Sequence, residues 1–590
     1  RIRGQMMKRI TKWNRFIYQH AVVVAMLYSF AIFIMVCLVS SLEWESADDF
    51  LISMILSGSF GEYSPYVLVL GYPVSAGLCW LQMHLPQLNW LTVLELVSVW
   101  SSFSVFIWAF LKKRNKIGYI FAIVFPPLFE TGFYTSLQYT RSACLFCFAG
   151  LFLIYRNCIQ YKKKAGIVIG TIMVLLGAFT RFGCLFLAIP FVGIWIVRDF
   201  FRIYKTHTLG ETLKKFLPFV GVMCVMTLFL MGGKAYNNYK YDNNPDVKKY
   251  VKLNSQRAAA YDYLVDDYKK YQKAFQKIGF SKNDYNMLRG SIIYDTYFEK
   301  SYSKIAKVNK KSVGIANQYA DEHMWSRWWN KLAYYQQGKN AQDRNLFIPF
   351  VCMVVVGAVF LTKDNWFAFL CSVGGTLAVS FYFITLGRFP PWVQDSVFLV
   401  GSFCSLYSVG KRRNNEGTVT VRSRQRRKIQ IAVCIIGFTC TMLFEVYATD
   451  QSDINASTFD ENIAAALTHM SSDKSKVYMV DNFANCPFPI MDVYSVVRGL
   501  EPGEWENILR VGHWFIGHPV LNNQLKECDL TSPVSDLTKD NVYLLTNTNL
   551  KKIDIYKTFF KEHYNVKIKA DLQEVFGTYG IYKLSVKEKK

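Results

Sequence analysis

Apolar residues in this chain come in long, nearly uninterrupted blocks, and that patterning rules out most folds before anything else is weighed. Residues 21–40 and 91–111 show neither the alternation of a half-buried strand nor the stripe of a surface helix. A helix needs about 17–25 apolar residues to cross a hydrocarbon core, and many blocks reach or approach that length. A globular core does not explain so many; insertion into a membrane does. Of 590 residues, 52% are hydrophobic and 19% charged, against about 25% charged in soluble domains.

The net charge of +25 raises the question of nucleic acid, and its placement answers it. Much of it clusters in short loops between blocks: Lys112, Lys113, Arg114 and Lys116; Lys162, Lys163 and Lys164; and residues 411–428, with Arg412, Arg413, Arg422, Arg424, Arg426 and Arg427 against the single acid Glu416. Short basic loops stay on the cytoplasmic side. No nucleic-acid partner is expected. Most of the cysteines, such as Cys37, Cys144, Cys147 and Cys224, lie inside apolar blocks as small hydrophobes. Cys486 and Cys528 are the two in the C-terminal region that could pair.

These loops set a direction for the chain. The basic residues of 1–15 keep the N-terminus cytoplasmic, and the first block has no small-residue cleavage site after it, as expected of a retained anchor. It leads to an acidic outer loop, residues 41–65. Residues 66–83, broken by Gly71, Pro73 and Gly77, are read as interfacial or re-entrant. That choice keeps the loop around Lys113 inside and gives about eleven spans. Residues 233–345 form a helical outer insertion, with Tyr261, Leu264, Tyr268, Tyr271 and Phe275 sharing one face. The lysines of that insertion run against the charge bias, which governs loops shorter than about 60 residues. Residues 449–590 alternate strand-like runs (476–480, 541–545, 579–584) with helical ones (461–470, 550–563), as in a small outer α/β domain. The expected units are therefore 1–232, 233–345, 346–448 and 449–590.

Chemistry is most concentrated after the first span, at Glu43, Glu45, Asp48 and Asp49. A carboxylate at the membrane surface can deprotonate a hydroxyl or bind a divalent ion; equally, these acids could line an outer loop and cap the helix beginning near Phe50. Arg141, Arg181 and Arg388 sit at the outer ends of spans, where a guanidinium either meets an anion such as a lipid phosphate or snorkels to headgroups. Glu130 follows Pro126 and Pro127 on the same side and could join Asp48 and Asp49. Glu95 could pair with an arginine. Trp325, Trp328, Trp329, Tyr334 and Tyr335 could stack on sugar rings or form an interfacial belt. His513 and His518 flank Trp514 without a third ligand at suitable spacing and are read as structural. No P-loop or G-x-G-x-x-G occurs, which speaks against nucleotide chemistry on the inner side.

Three stretches carry a likeness: Ser46-Ala-Asp-Asp-Phe-Leu after the first span, Gly177-Ala-Phe-Thr-Arg-Phe-Gly leading to Pro190, and Leu386-Gly-Arg-Phe-Pro-Pro near the last outer loop. Over roughly residues 20–410 the chain resembles the GT-C superfamily of membrane glycosyltransferases, in particular its GtrII-like and protein-mannosyltransferase-like branches. The resemblance implies a polytopic α-helical fold and a polyprenyl-phosphate-linked sugar as donor. It also implies a glycan, lipid or protein acceptor on the outer face of the cell membrane. It implies Asp48 or Asp49 as the catalytic base, and Arg181 and Arg388 as ligands of the lipid phosphate, with Arg141 and Glu130 as further substrate-binding candidates. Some branches use a divalent cation (Mg or Mn) and others none. A flippase or transporter for lipid-linked saccharides and a polysaccharide polymerase are the alternative expectations. The C-terminal region and the insertion lie outside the likeness.

Overall fold

The computed structural model describes residues 15–45, 47–262, 268–312, 328, 346–362, 365–385, 389–409, 421–481, 496–512, 514–548 and 550–587. The apolar blocks fold into helices, because a backbone in hydrocarbon has only its own groups to bond to. The first part of the chain gives α1 (Ala21–Val39), α2 (Ala47–Ser57), α3 (Tyr72–His84), α4 (Trp90–Leu111), α5 (Lys116–Tyr134), α6 (Tyr139–Arg156), α7 (Lys164–Thr180), α8 (Phe182–Tyr204) and α9 (Leu209–Asp242). The insertion supplies α10 (Pro245–Tyr261), α11 (Tyr268–Lys277), α12 (Lys282–Arg289) and α13 (Thr296–Ser312). After it come α14 (Phe347–Ala358), α15 (Trp366–Thr385), α16 (Pro391–Ser408) and α17 (Val421–Ser472).

Seven of the described helices are long and apolar enough to cross a membrane by length and composition: α1, α4, α5, α6 with the π turn that follows it, α8, α9 and α15. Apolar but shorter are α7, α14 and residues 428–444 of α17. The protein is thus mostly helical and polytopic, with seven candidate spans among the described residues. Helix α16 is enclosed by protein from Gln394 to Ser408. With 13 residues, α3 is about 20 Å long, short of the roughly 30 Å hydrocarbon core.

The bundle is organised around α6, whose window is 94% buried. It packs along α7 at glycines: a Cβ on Gly150 would lie 2.6 Å from the Gly170 carbonyl oxygen, and one on Gly177 would lie 2.8 Å from that of Ala143. Small residues let two backbones approach so closely. In α5, Pro127 has no N–H for the Ile123 carbonyl four residues back. The Tyr28 hydroxyl of α1 donates to that carbonyl at 2.6 Å, so the proline does not leave it orphaned. The Lys113 ammonium donates to the carbonyls of Tyr407 and Val409 at 2.5 and 2.7 Å, closing the C-terminal end of α16. At this same end of the bundle, Asp199 of α8 gathers Arg156, Arg198 and Arg202.

Helix α17 runs for 52 residues without a break, through position 449, where the sequence changes from span to polar domain. Beyond it lie β1 (Val477–Val480), β2 (Ile508–Arg510), α18 (Pro519–Glu527), β3 (Val542–Asn547), α19 (Leu550–Tyr564), β4 (Ile568–Phe576) and β5 (Tyr579–Val586). They form one sheet in the order β2-β1-β3-β5-β4, with β1 parallel to β2 and β3, and β5 antiparallel to β3 and β4. Leu467 and Met470 at the end of α17 are buried in the same core as β1 and α19, so the helix ends inside the domain. Strands β1, β3 and β5 and helix α19 fall where the sequence alternation puts them; β2 and β4 complete the sheet.

Candidate functional site

The chain returns to one spot from four distant places, and backbone pairing fixes the first two. Segment 43–45 pairs with Leu137: the Glu45 amide donates to the Leu137 carbonyl at 2.8 Å and the Leu137 amide to that of Glu43 at 2.6 Å. This sets the start of α2 beside the start of α6. The first amides of a helix lack partners within it, and here side chains supply them. Gln138 accepts from the amides of Thr140 and Arg141 at 2.6 and 3.1 Å. Asp49 accepts from the Tyr139 amide at 2.9 Å. Asp49 is fully buried, its carboxyl beside that of Glu95.

Its neighbour Asp48 points elsewhere. The Trp514 indole Nε1–H, from the C-terminal domain, donates to Asp48 Oδ1 at 2.9 Å. Arg181, Arg257 and Asp262 stand close enough for their charges to act on it. Burial pushes the Asp48 carboxyl above the usual carboxylate range, against the pull of the Trp514 N–H and Arg181. A carboxylate raised in this way is a better proton acceptor near neutral pH than a solvated one.

Arg181 is the single residue between α7 and α8, at the tip of a tight helical hairpin. Its Nη1 donates to the Tyr139 hydroxyl at 2.8 Å, and among the described residues no carboxylate pairs with it at contact distance. A guanidinium with donors to spare beside an aromatic hydroxyl suits a phosphate. Tyr139 therefore joins Asp49 to the arginine, its amide on Asp49 and its hydroxyl on Arg181. From the insertion, Arg257 is buried, with Nε donating to Asn254 at 2.8 Å and Nη1 3.3 Å from Asp262.

The other expected site residues that are described have partners of their own. Arg141 is buried between Glu45 and Asp395, and also donates to the Ser136 carbonyl at 2.6 Å and hydroxyl at 2.8 Å. Burial pushes Glu45 up to about 7, partly opposed by Arg141. This ion cluster ties the acidic loop to α6 and α16. Glu130 is buried between α1 and α5, where it accepts from the Ser29 and Tyr134 hydroxyls; its partners are there rather than at Asp48. Arg388, His513, Cys486 and, of the aromatic run, Trp325, Trp329, Tyr334 and Tyr335 lie outside the described residues. His518 accepts from the Val520 amide through Nδ1 and meets the Tyr66 carbonyl through Nε2 at 2.8 Å. It caps α18, a structural role.

Elsewhere, Asp284, Glu562 and His563 bring ligand atoms within 4.8 Å of one another. Asp284 is already engaged there: Oδ1 lies 2.6 Å from His563, while Oδ2 accepts from the Ser281 amide and the Tyr297 hydroxyl, both at 2.8 Å. These contacts clamp α12 to α19. Tyr139, Trp514 and Arg257 are the site residues that sequence reasoning missed. The signal for Tyr139 was its position two residues before Arg141. None existed for Trp514, 466 residues from Asp48. No protein-family model matches the chain, and no curated protein matches it.

Proposed function

We propose that this chain is a membrane glycosyltransferase of the GT-C type, moving a sugar from a polyprenyl-phosphate carrier to a glycan, lipid or protein acceptor at the outer face of the cell membrane. The observation that carries this reading is the approach of Asp48 and Arg181, a half-buried carboxylate and a guanidinium that no carboxylate among the described residues pairs with at contact distance, at one end of the spans. In this reading Asp48 takes the proton of an acceptor hydroxyl as its oxygen attacks the anomeric carbon. The bond from that carbon to the phosphate oxygen breaks, and polyprenyl phosphate leaves with its charge offset by Arg181. Asp49, held on the Tyr139 amide, orients the loop, and Arg388 remains a proposed second phosphate ligand. Arg141 serves the same reaction indirectly, by fixing the loop through Glu45.

The reading includes eleven spans, with the N-terminus cytoplasmic and the C-terminal domain outside. Among the described residues, the Trp514 indole N–H donates to Asp48, and the charges of Arg181, Arg257 and Asp262 act on it; no step here is routed through a metal. The test is transfer of labelled sugar from polyprenyl-phosphate hexoses by the full chain in lipid nanodiscs, with solubilised envelope glycan as acceptor. Asp48→Asn is expected to lower kcat about 100-fold or more. Full transfer by a variant carrying both Asp48→Asn and Asp49→Asn would sink the assignment, and movement of intact donor across the bilayer without transfer would favour a flippase.

A further inference from the structure

We propose that Trp514 is a positioning residue that holds the Asp48 carboxylate in register with Arg181, so that the C-terminal α/β domain forms half of the reactive site. This rests on the reading of Asp48 as the base and extends it to a domain outside the likeness. The indole N–H is a donor only. Its contact with Asp48 Oδ1 at 2.9 Å therefore fixes one oxygen and favours the charged form without competing for the proton. Trp514 is 7% exposed, too enclosed to stack on a sugar, so holding the carboxylate is what its placement offers.

The loop bearing Trp514 is itself held from three sides. The Val511 carbonyl accepts from the amides of Ile293 and Tyr294 at 2.9 and 2.8 Å. The Trp514 carbonyl accepts from the Tyr250 hydroxyl of α10 at 3.0 Å. Phe515 stacks on Phe60 with ring centroids 4.9 Å apart. The insertion and the segment after α2 thus both grip the loop, and a group fixed this firmly can fix another. Among the described residues, the charged groups that act on Asp48 include Arg181 from the α7–α8 tip and Arg257 with Asp262 from the insertion.

The experiment measures Asp48 directly in the full chain. A water-soluble carbodiimide modifies the protonated carboxyl, and fragment mass spectrometry separates Asp48 from Asp49. In W514F the pH midpoint of Asp48 modification is expected to rise by about one unit, the loss of one hydrogen bond to a charged group. In the transfer assay, kcat falls about tenfold at neutral pH, KM for the donor is unchanged, and the rising limb of the pH profile moves up with the labelling midpoint. Because W514F leaves a void, the same measurements are made with benzothienylalanine at position 514, which keeps the bicycle and lacks the N–H. A folded protein of either kind with the wild-type midpoint overturns the proposal. If Asp48→Asn retains transfer while the midpoint shift is present, the base assignment fails and the Trp514 contact stands.

Discussion

Arg141 and Arg181 look alike in sequence, each at the end of an apolar block, yet their surroundings make them do opposite things. Arg141 lies between two carboxylates at 2% exposure, and removing one partner of a buried ion group costs about 3–5 kcal/mol. Arg141→Ala is therefore expected to lower the unfolding temperature and the yield of folded chain. Arg181→Ala should leave both unchanged and abolish transfer; equal thermal stability of the two variants would contradict this division. His518 yields a pH dependence. Burial lowers its imidazole from 6.5 to about 4, so the folded chain keeps it neutral while the unfolded chain protonates near 6.5. Its contribution is full above pH 6.5 and is lost as pH falls toward 4, about 3 kcal/mol in all. Unfolding followed at pH 7 and 4.5 should show this loss, and His518→Asn, which has no proton to take up, should flatten it. Asp48, Asp49 and Arg181 stood out in sequence, the acids as part of a base-free cluster after the first span and the arginine as a charge with few others near its apolar blocks. Their partners were not, since an indole N–H or a tyrosine hydroxyl announces nothing until a distant segment folds onto it.

Among the elements, the apolar blocks could be read directly, because length and hydropathy decide whether a helix lies in lipid. Their ends could not. Helix α17 passes through the change from apolar to polar composition at 449, since polarity sets the solvent a helix meets and not whether it continues. Strand β2 has three residues, too few for a period to show, and β4 is half exposed, which gave a weak signal. The close approach of α6 and α7 was hidden too, as three glycines in apolar runs carry no period of their own. It has a direct consequence for the site, because α7 ends on Arg181. Gly170→Val would press a branched side chain onto the Gly150 carbonyl oxygen, 2.7 Å from a Cβ at position 170, and onto Ile154. The expected result is separation of the two helices, with loss of transfer and a lower unfolding temperature. Gly193→Val, where a Cβ meets nothing within 4 Å, serves as the control and should behave like wild type. Tyr28→Phe, by freeing the Ile123 carbonyl, should cost about 1 kcal/mol in thermal unfolding.

At the scale of the molecule, the C-terminal domain is seated on the loops of the bundle. The Asn89 amide donates to the Val497 carbonyl at 2.8 Å, the Gly503 amide to that of Gly58 at 2.9 Å, and the Trp505 amide to that of Ser59 at 2.8 Å. The proposed sidedness is tested with single cysteines and a membrane-impermeant maleimide in intact cells. Lys526→Cys should label from outside and Lys163→Cys only after permeabilisation; labelling of Lys163→Cys from outside would invert the topology. Lys163 is exposed, whereas Lys113 is closed against α16. Composition placed the chain in a membrane and located the polar domain, but that domain's contact with the loop after the first span is long-range and left no local trace. The unbroken helix α17 makes the connection mechanical. At 1.5 Å and 100° per residue, its 52 residues form a strut about 78 Å long that carries phase as well as distance. One extra residue in its middle would turn the sheet by about 100° relative to the span, carrying the indole away from Asp48 with every side chain of both intact.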